Sequence, residues 1–557
     1  MVARAEGPAP AGRAMKRLTI DRACAHIAPG ATEALEVRLA DDMGVEEDDY
    51  PPVTVRMRAW VVSVTDDLGS GASVGSTPST QPRDEHLEET NGAGRALFFV
   101  GAPRDAPSDA ALVLVFDVVA DAHRHSLAFQ RWGAEASDGP RPAPTQPFER
   151  VLPIGVGPVR IARGVPGFES RAKMFRPLPV LPRGETLHIH EPAESTATVA
   201  SSTWDCGVLL GAHLSAAVAG DGTGDDARAF RDALGIEPVP SPVESSRGDA
   251  PATGNPTPRP RPRRRVVELG CGLGPAGAAL AAALGVAREP GACDVEILLT
   301  DRDPIALNLA RDTVRRNARL IRRGGSDNAK VSATTFDWDD DPSALFEREP
   351  ADRVDVARAG ARPDARARPR HVSAVIAADV VYHEDAFASL VGTLVETCAR
   401  AAAEAPKPKT SSAKKERRRG ETPVALLAYR RRCDPDTERH FFHMLDAAFA
   451  RSRVDWAWPS DAAECAAAPA DEDEDEDEDE DDGSGGVVRR RCKNNEPPTK
   501  PESARLYRLA PRVVEHKPSS KTLAECGYCQ MLIAARDKRL EARGRPPGRY
   551  TTHRVSL

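Results

Sequence analysis

The stretch Val266-Val-Glu-Leu-Gly-Cys-Gly-Leu-Gly-Pro-Ala-Gly277 decides how this chain is read. An apolar pair suited to a buried strand runs through Glu268 into Gly270, Cys271, Gly272 and Gly274, and then into an alanine-rich segment of high helix propensity. The order is strand, tight turn, helix. The glycines let the backbone turn sharply and approach a ligand, while the helix start aims unpaired N–H groups and a positive dipole end at it. Pro275 falls in the first helical turn, where a missing N–H costs nothing.

Dinucleotide-binding folds carry a similar turn, so the neighbouring carboxylates make the distinction. Residues Val295–Asp301 read as a second strand whose last side chain can accept hydrogen bonds from a ribose diol. Glu268, inside the turn, would repel a pyrophosphate but suits a ligand with a cationic methionine end. The two together favour S-adenosylmethionine over a nicotinamide dinucleotide.

At 557 residues the chain exceeds one ordinary core, and two domains with linkers are expected. An apolar share of 40% with 48 Pro and 42 Gly points to much unfolded sequence around compact cores. The net charge of −8 misleads, because the acidic run Asp471–Asp482 accounts for it and the remainder is mildly basic. Total charge therefore gives no ground for nucleic-acid binding. No apolar stretch approaches the roughly 20 residues that cross a bilayer, so no membrane partner is expected. Ten cysteines without regular spacing fit reduced thiols inside a cell. The first residues, basic apart from Glu6, read as a disordered start in preference to a transit peptide.

In chain order, residues 1–45 are expected to be disordered and 46–185 to form a β-rich domain. Residues 53–63 alternate as a half-buried strand does, and strand-like runs recur at Ala96–Val100, Ala111–Val119 and Val151–Ile161. The Gly/Ser/Thr-rich span 67–95 between them reads as a mobile loop. This domain suits docking or scaffolding, with His123 and His125 as surface residues and not metal ligands.

From Thr186 the character changes. Leu-His-Ile-His reads as a strand, and the segment from Ser201 as a capped helix carrying Asp205 in its first turn. Trp204, at the helix start, reads from the residues alone as a core anchor. The Pro/Arg-rich span 236–265 is a disordered insertion whose arginines could alternatively form an import signal or an acidic-partner patch. After Asp301 come a helix at 304–317 and a third strand at 331–338, whose Trp338 either packs or stacks on an adenine. The fourth strand, from His371, ends in Ala378-Asp379-Val-Val-Tyr382, where ligands of such sheets lie. There Asp379 can orient an incoming amine or take its proton, and Tyr382 can wall the pocket. A helix at 390–403, a fifth strand from Val424, a helix at 438–450 and a strand pair at 454–458 and 504–509 complete the pattern. The spans 341–370, 404–422 and 466–500 read as disordered inserts, and 513–557 as a basic tail. Its lone Cys526-x-x-Cys529 lacks the second pair that a zinc site needs.

Assembled, the motifs resemble the seven-β-strand protein-lysine methyltransferases of the family-16 type. The resemblance rests on Leu-His-Ile-His, Thr-Trp-Asp-Cys-Gly, Val-Val-Glu-Leu-Gly-Cys-Gly-Leu-Gly, Leu-Leu-Thr-Asp-Arg, Phe-Asp-Trp, Ile-Ala-Ala-Asp-Val-Val-Tyr and Ala-Leu-Leu-Ala-Tyr-Arg-Arg-Arg, in that order. It implies an α/β fold with a Rossmann-like seven-stranded sheet over residues 186–512, beside the additional β-rich N-terminal domain. It also implies that Trp204, the Gly270–Gly272 turn, Asp301, Trp338 and Ala378 contact S-adenosylmethionine, and that Asp379 and Tyr382 face the substrate. The implied partner is a non-histone protein such as a chaperone or translation factor, modified by a monomeric enzyme of the cytoplasm or nucleus.

Three other readings compete. Enzymes that methylate exocyclic base amines commonly carry Asn/Asp-Pro-Pro-Tyr after the fourth strand, whereas this chain has Asp-Val-Val-Tyr, so nucleic acid is not expected. A protein arginine or histidine methyltransferase uses the same framework. A catalytically inactive binding module is opposed by the intact Gly270, Gly272, Asp301 and Asp379.

Overall fold

Alternating burial builds the first half of the molecule. In the computed structural model, residues 16–20, 26–40, 53–63, 84–119 (except 92, 108 and 109), 151–162, 174–192 (except 179 and 182–184), 199–219, 225–236, 263–287, 295–323, 329–347, 370–404, 423–454, 505–511 and 527–544 are described. The first strands are β1 (Lys16–Ile20), β2 (His26–Ile27), β3 (Thr32–Ala40), β4 (Thr54–Ser63), β5 (Asp84–Glu89), β6 (Arg95–Gly101), β7 (Ala110–Val119), β8 (Val151–Leu152), β9 (Ile154–Ile161), β10 (Met174–Leu178) and β11 (Leu187–Glu191). They form two sheets, ordered β6-β3-β1-β8 and β11-β10-β9-β7-β4-β5, with β2 added beside β9. Leu18, Leu35 and Phe98 of one sheet meet Val55, Leu112 and Ile154 of the other in a shared core, which makes a sandwich.

Three expectations change here. Residues 1–45 contain β1, β2 and β3. Their runs are short and partly polar, and their burial comes from pairing with β6, β8 and β9 far along the chain. The expected loop 67–95 contains β5, an edge strand with no apolar alternation that is held by its backbone ladder to β4. The Leu-His-Ile-His segment is a strand, but it pairs antiparallel with β10 inside the sandwich and not with the second domain's sheet.

The second domain comprises α1 (Asp205–Ala219), α2 (Asp225–Leu234), β12 (Arg263–Leu269), α3 (Pro275–Ala287), β13 (Val295–Asp301), α4 (Pro304–Arg316), α5 (Ala318–Arg322), β14 (Ala329–Thr335), β15 (Arg370–Ala378), α6 (Phe387–Glu404), β16 (Val424–Tyr429), α7 (Pro435–Ala448), β17 (Phe449–Val454), β18 (Arg505–Pro511) and α8 (Gly527–Ala542). Its seven strands lie in the order β14-β13-β12-β15-β16-β18-β17. The first five run parallel, and β18 and β17 add an antiparallel edge. Every residue of β13 and β16 is buried, as befits parallel strands covered on both faces. Helices α1, α2 and α3 contribute to the core on one face and α6 and α7 to that on the other. The order reverses between β12 and β15, which opens a crevice beyond their carboxyl ends.

Boundaries also shift. Strand β12 begins at Arg263, inside the span read as an insert, because Arg265 is fully buried against Glu296 at 3.1 Å and donates to the carbonyls of Leu345 and Glu347. That partner segment, 342–346, forms a 3-10 turn with Leu345 buried, so the insert expected at 341–370 starts later. The helix expected at 438–450 ends at Ala448, and Phe449 takes extended backbone and starts β17 at 449–454, not 454–458. The expected tail 513–557 contains α8. Residues 237–262, 348–369, 405–422 and 455–504 lie outside the described residues, as do His123, His125, Cys526 and the side chain of Cys529. Among the described residues, no helix is long and apolar enough to cross a membrane.

The domains meet along β11 and α4. The amides of His188 and His190 donate to Asn317 Oδ1 at 2.9 Å and Thr313 Oγ1 at 3.0 Å, and Asn317 Nδ2 donates back to the His188 carbonyl at 2.7 Å. Helix side chains thus close the open edge of the sandwich sheet. Arg316 lies over the Phe175 ring, 4.0 Å from its centroid.

Candidate active site

Beyond Leu269 the chain turns through Gly270, Gly272 and Gly274, all at positive φ (63°, 52° and 70°). A Cβ on Gly270 would lie 2.9 Å from Val380 and 3.1 Å from Trp338, and one on Gly272 would lie 2.9 Å from the Ala200 carbonyl oxygen. The turn therefore admits only glycine at both places. The Gly277 N–H, in the first turn of α3, donates to Glu268 Oε2 at 2.8 Å, so Glu268 caps that helix from the preceding strand. Asp301, at the tip of β13, accepts the N–H groups of Gly272 and Asp303, each at 2.9 Å, and so ties two adjacent loops together.

A cavity of about 810 Å³ lies over these strand ends. Trp204, Glu268, Gly270, Cys271, Gly272, Asp301, Trp338, Ala378, Asp379 and Tyr382 all line it. Gly274 does not. Its missing side chain makes room instead for Leu299, 3.1 Å from a built Cβ, and Ala310, so this glycine serves helix–sheet packing.

Among the described residues neither Glu268 nor Asp301 forms a salt bridge. Burial first, then the neighbouring Asp301 charge, pushes the Glu268 carboxyl up to about 8 against the pull of the Gly277 N–H. Burial also raises Asp301. A cationic ligand with a diol would relieve the first carboxylate and donate its hydroxyl hydrogens to the second.

Asp379 lines the cavity while its carboxylate is held by neighbours. It takes a left-handed backbone (φ 53°) where β15 ends, a conformation that short polar Asp tolerates better than most. Its Oδ2 accepts the Cys206 N–H at 3.0 Å and its Oδ1 meets Arg432 at 3.2 Å. Arg432 also donates to Asp205 at 2.6 Å and stacks over Trp204, 4.8 Å from the ring centroid, while Arg430 holds Asp205 at 2.7 Å. Burial and then Asp205 raise the Asp379 carboxyl. Burial works on Asp205 too, but Arg432 and Arg430 outweigh it and hold that carboxyl down. Cys206 Sγ comes within metal-binding reach of both carboxylates, yet two guanidiniums already supply the positive charge there. Tyr382, 42% exposed, stands at the cavity's open side.

Sequence reading missed Asp205 and Arg432 as site residues, together with Asp337, Asp339, Arg539 and Arg543, all but the first of them on the cavity wall. Asp205 and Arg430–Arg432 were both visible in their motifs. The signal was that two buried acids at a strand-end cluster require cations, and the arginines after the fifth strand are the nearest supply.

This sheet order, the glycine turn and the carboxylates around one cavity define a class, the S-adenosylmethionine-dependent methyltransferases, and S-adenosylmethionine is the cofactor. Within that class, residues 183–358 match the family model described as lysine methyltransferase. No curated protein matches the chain significantly. Among similar solved structures is an arsenic (III) S-adenosylmethionine methyltransferase from Chlamydomonas reinhardtii, 15% identical, with 51% of this chain and 72% of that one covered and a TM-score of 0.20.

Proposed function

We propose that the protein methylates lysine side chains of other, non-histone proteins. The observation that carries this reading is the match of residues 183–358 to the lysine methyltransferase family, because that segment supplies Trp204, the glycine turn, Asp301 and Trp338 of the cavity wall. The cofactor supplies a methyl group on a sulfonium, ready for in-line transfer to a neutral nucleophile. Positioning therefore dominates over acid–base chemistry.

The chain's own residues divide that work. Glu268 and Asp301 face the cationic and diol parts of the cofactor, and Trp204 and Trp338 wall it. Asp379 and Tyr382 orient the acceptor amine. Burial lets Asp379 hold a proton nearer neutrality than a free aspartate does, so it can take one from the amine, while Arg432 keeps it in place. The reading brings a protein partner, a chaperone or translation factor, a monomeric enzyme and a cytoplasmic or nuclear setting.

Incubation with labelled S-adenosylmethionine and cell extract, followed by mass spectrometry of the labelled band, tests it. Methyllysine is expected. Methylarginine or methylhistidine would overturn the acceptor assignment, and absence of both labelling and cofactor binding would overturn the enzyme.

A further inference from the structure

Helix α8 lies beyond the residues that match the family, yet its Arg539, and Arg543 just past its end, line the cofactor cavity. Arg536, Arg539, Leu540 and Arg543 stand at i, i+3, i+4 and i+7 and share one face. Two of them anchor the helix. Arg536 is buried against α6, where a Cβ on Gly392 would come within 2.7 Å of its guanidinium, and it pairs with Glu396 at 3.8 Å. Leu540 is buried as well.

The other two reach the cavity wall. Arg539 Nε donates to Asp339 Oδ2 at 3.3 Å, and its Nη2 donates to the Asp385 carbonyl at 2.7 Å and Ser389 Oγ at 3.3 Å. Arg543 stands 3.8 Å from both Asp337 and Asp339. Helix α6, against which α8 packs, holds the same stretch. Ser389 Oγ donates to Asp339 Oδ1 at 2.5 Å, and Thr393 Oγ1 donates to the Trp338 carbonyl at 2.8 Å. Trp338, between the two aspartates, is thus clamped where its ring covers Gly270.

We propose that α8 is a working part of the cofactor site and that Arg539 is a positioning residue, holding Asp339 and thereby keeping Trp338 on the cavity wall. This rests on the assignment of the cavity to S-adenosylmethionine.

Calorimetric titration of the full chain with S-adenosylhomocysteine tests it on Arg539→Ala, Arg539→Lys and, as control, Lys538→Ala on the exposed side of the helix. Loss of this partly exposed ion pair should weaken Arg539→Ala by about fivefold, with partial recovery in Arg539→Lys. Lys538→Ala should match the parent. Added salt should weaken the parent more than Arg539→Ala, because the alanine variant has lost the screened pair. Undiminished affinity in Arg539→Ala would overturn the proposal, as would a loss that appears only with a matching fall in melting temperature. Failure of the parent itself to bind would overturn the cofactor assignment beneath it.

Discussion

At the scale of single residues, the glycine turn and the strand-tip carboxylates were legible because each is forced by local chemistry. Glu268 carries a consequence for pH. Its carboxyl sits near 8 in the folded protein against an ordinary 4.5, so between those values the folded state holds a proton that the unfolded chain has released. Stability of the cofactor-free protein should therefore fall as pH rises from about 4.5 to about 8 and change little above that on this group's account. Glu268→Gln, which keeps an oxygen for the Gly277 N–H, should lose this part of the slope. Saturating S-adenosylmethionine should flatten it too, since a cationic neighbour favours the ionised acid. Melting temperatures of both proteins across about pH 5 to 9, with and without cofactor, read the difference. Equal slopes in the two proteins would refute this role for Glu268. Arg432 was harder to read, because a guanidinium among three consecutive arginines shows nothing in sequence of the two carboxylates and the Trp204 ring it joins.

At the scale of elements, period and length placed the parallel strands and their helices well, because a strand buried on both faces is a continuous apolar run. Pairing partners were not legible. Strand β11 is apolar enough to belong to either sheet, and only its register against β10 and the side chains of α4 decide the matter. Helix α8 was read as a tail because its described buried side chains are one arginine, Arg536, and one leucine, Leu540, in a run that composition alone takes for a solvated face. Asn317 is the test of the β11 junction. Its amide accepts from the His188 N–H and donates to the carbonyls of His188 and Thr313, the last at 2.8 Å. Asn317→Ala would leave a buried backbone donor and acceptor unpaired, for a loss of about 2 to 3 kcal/mol. Urea denaturation should show that loss, and a change below about 0.5 kcal/mol would mean that water repairs the edge.

At the scale of the whole molecule, the sandwich is joined to the catalytic domain through charge as well as packing. Glu191, where β11 ends, takes Arg176 and Arg17 from the sandwich and accepts the Thr203 N–H at 3.2 Å, one residue before Trp204 of the cavity. The sandwich therefore fixes where the cavity wall begins. Its seam has a built-in acid sensitivity at His188, fully enclosed beside Phe175 with ring centroids 4.9 Å apart. Burial, then the Arg316 charge, lowers the imidazole to about 3 from 6.5. Between those values the unfolded chain binds a proton that the folded seam refuses, so the stability present above about 6.5 is lost progressively as pH falls toward 3. Among the described residues its Nε2 has no hydrogen-bond partner, so an apolar ring can replace it without orphaning a group there. His188→Phe should thus hold the domains together to lower pH than the parent does. Limited proteolysis between β11 and α1, followed from neutral to about pH 4, should show cleavage rising in the parent and lagging in the variant. Identical acid profiles would place the labile group elsewhere.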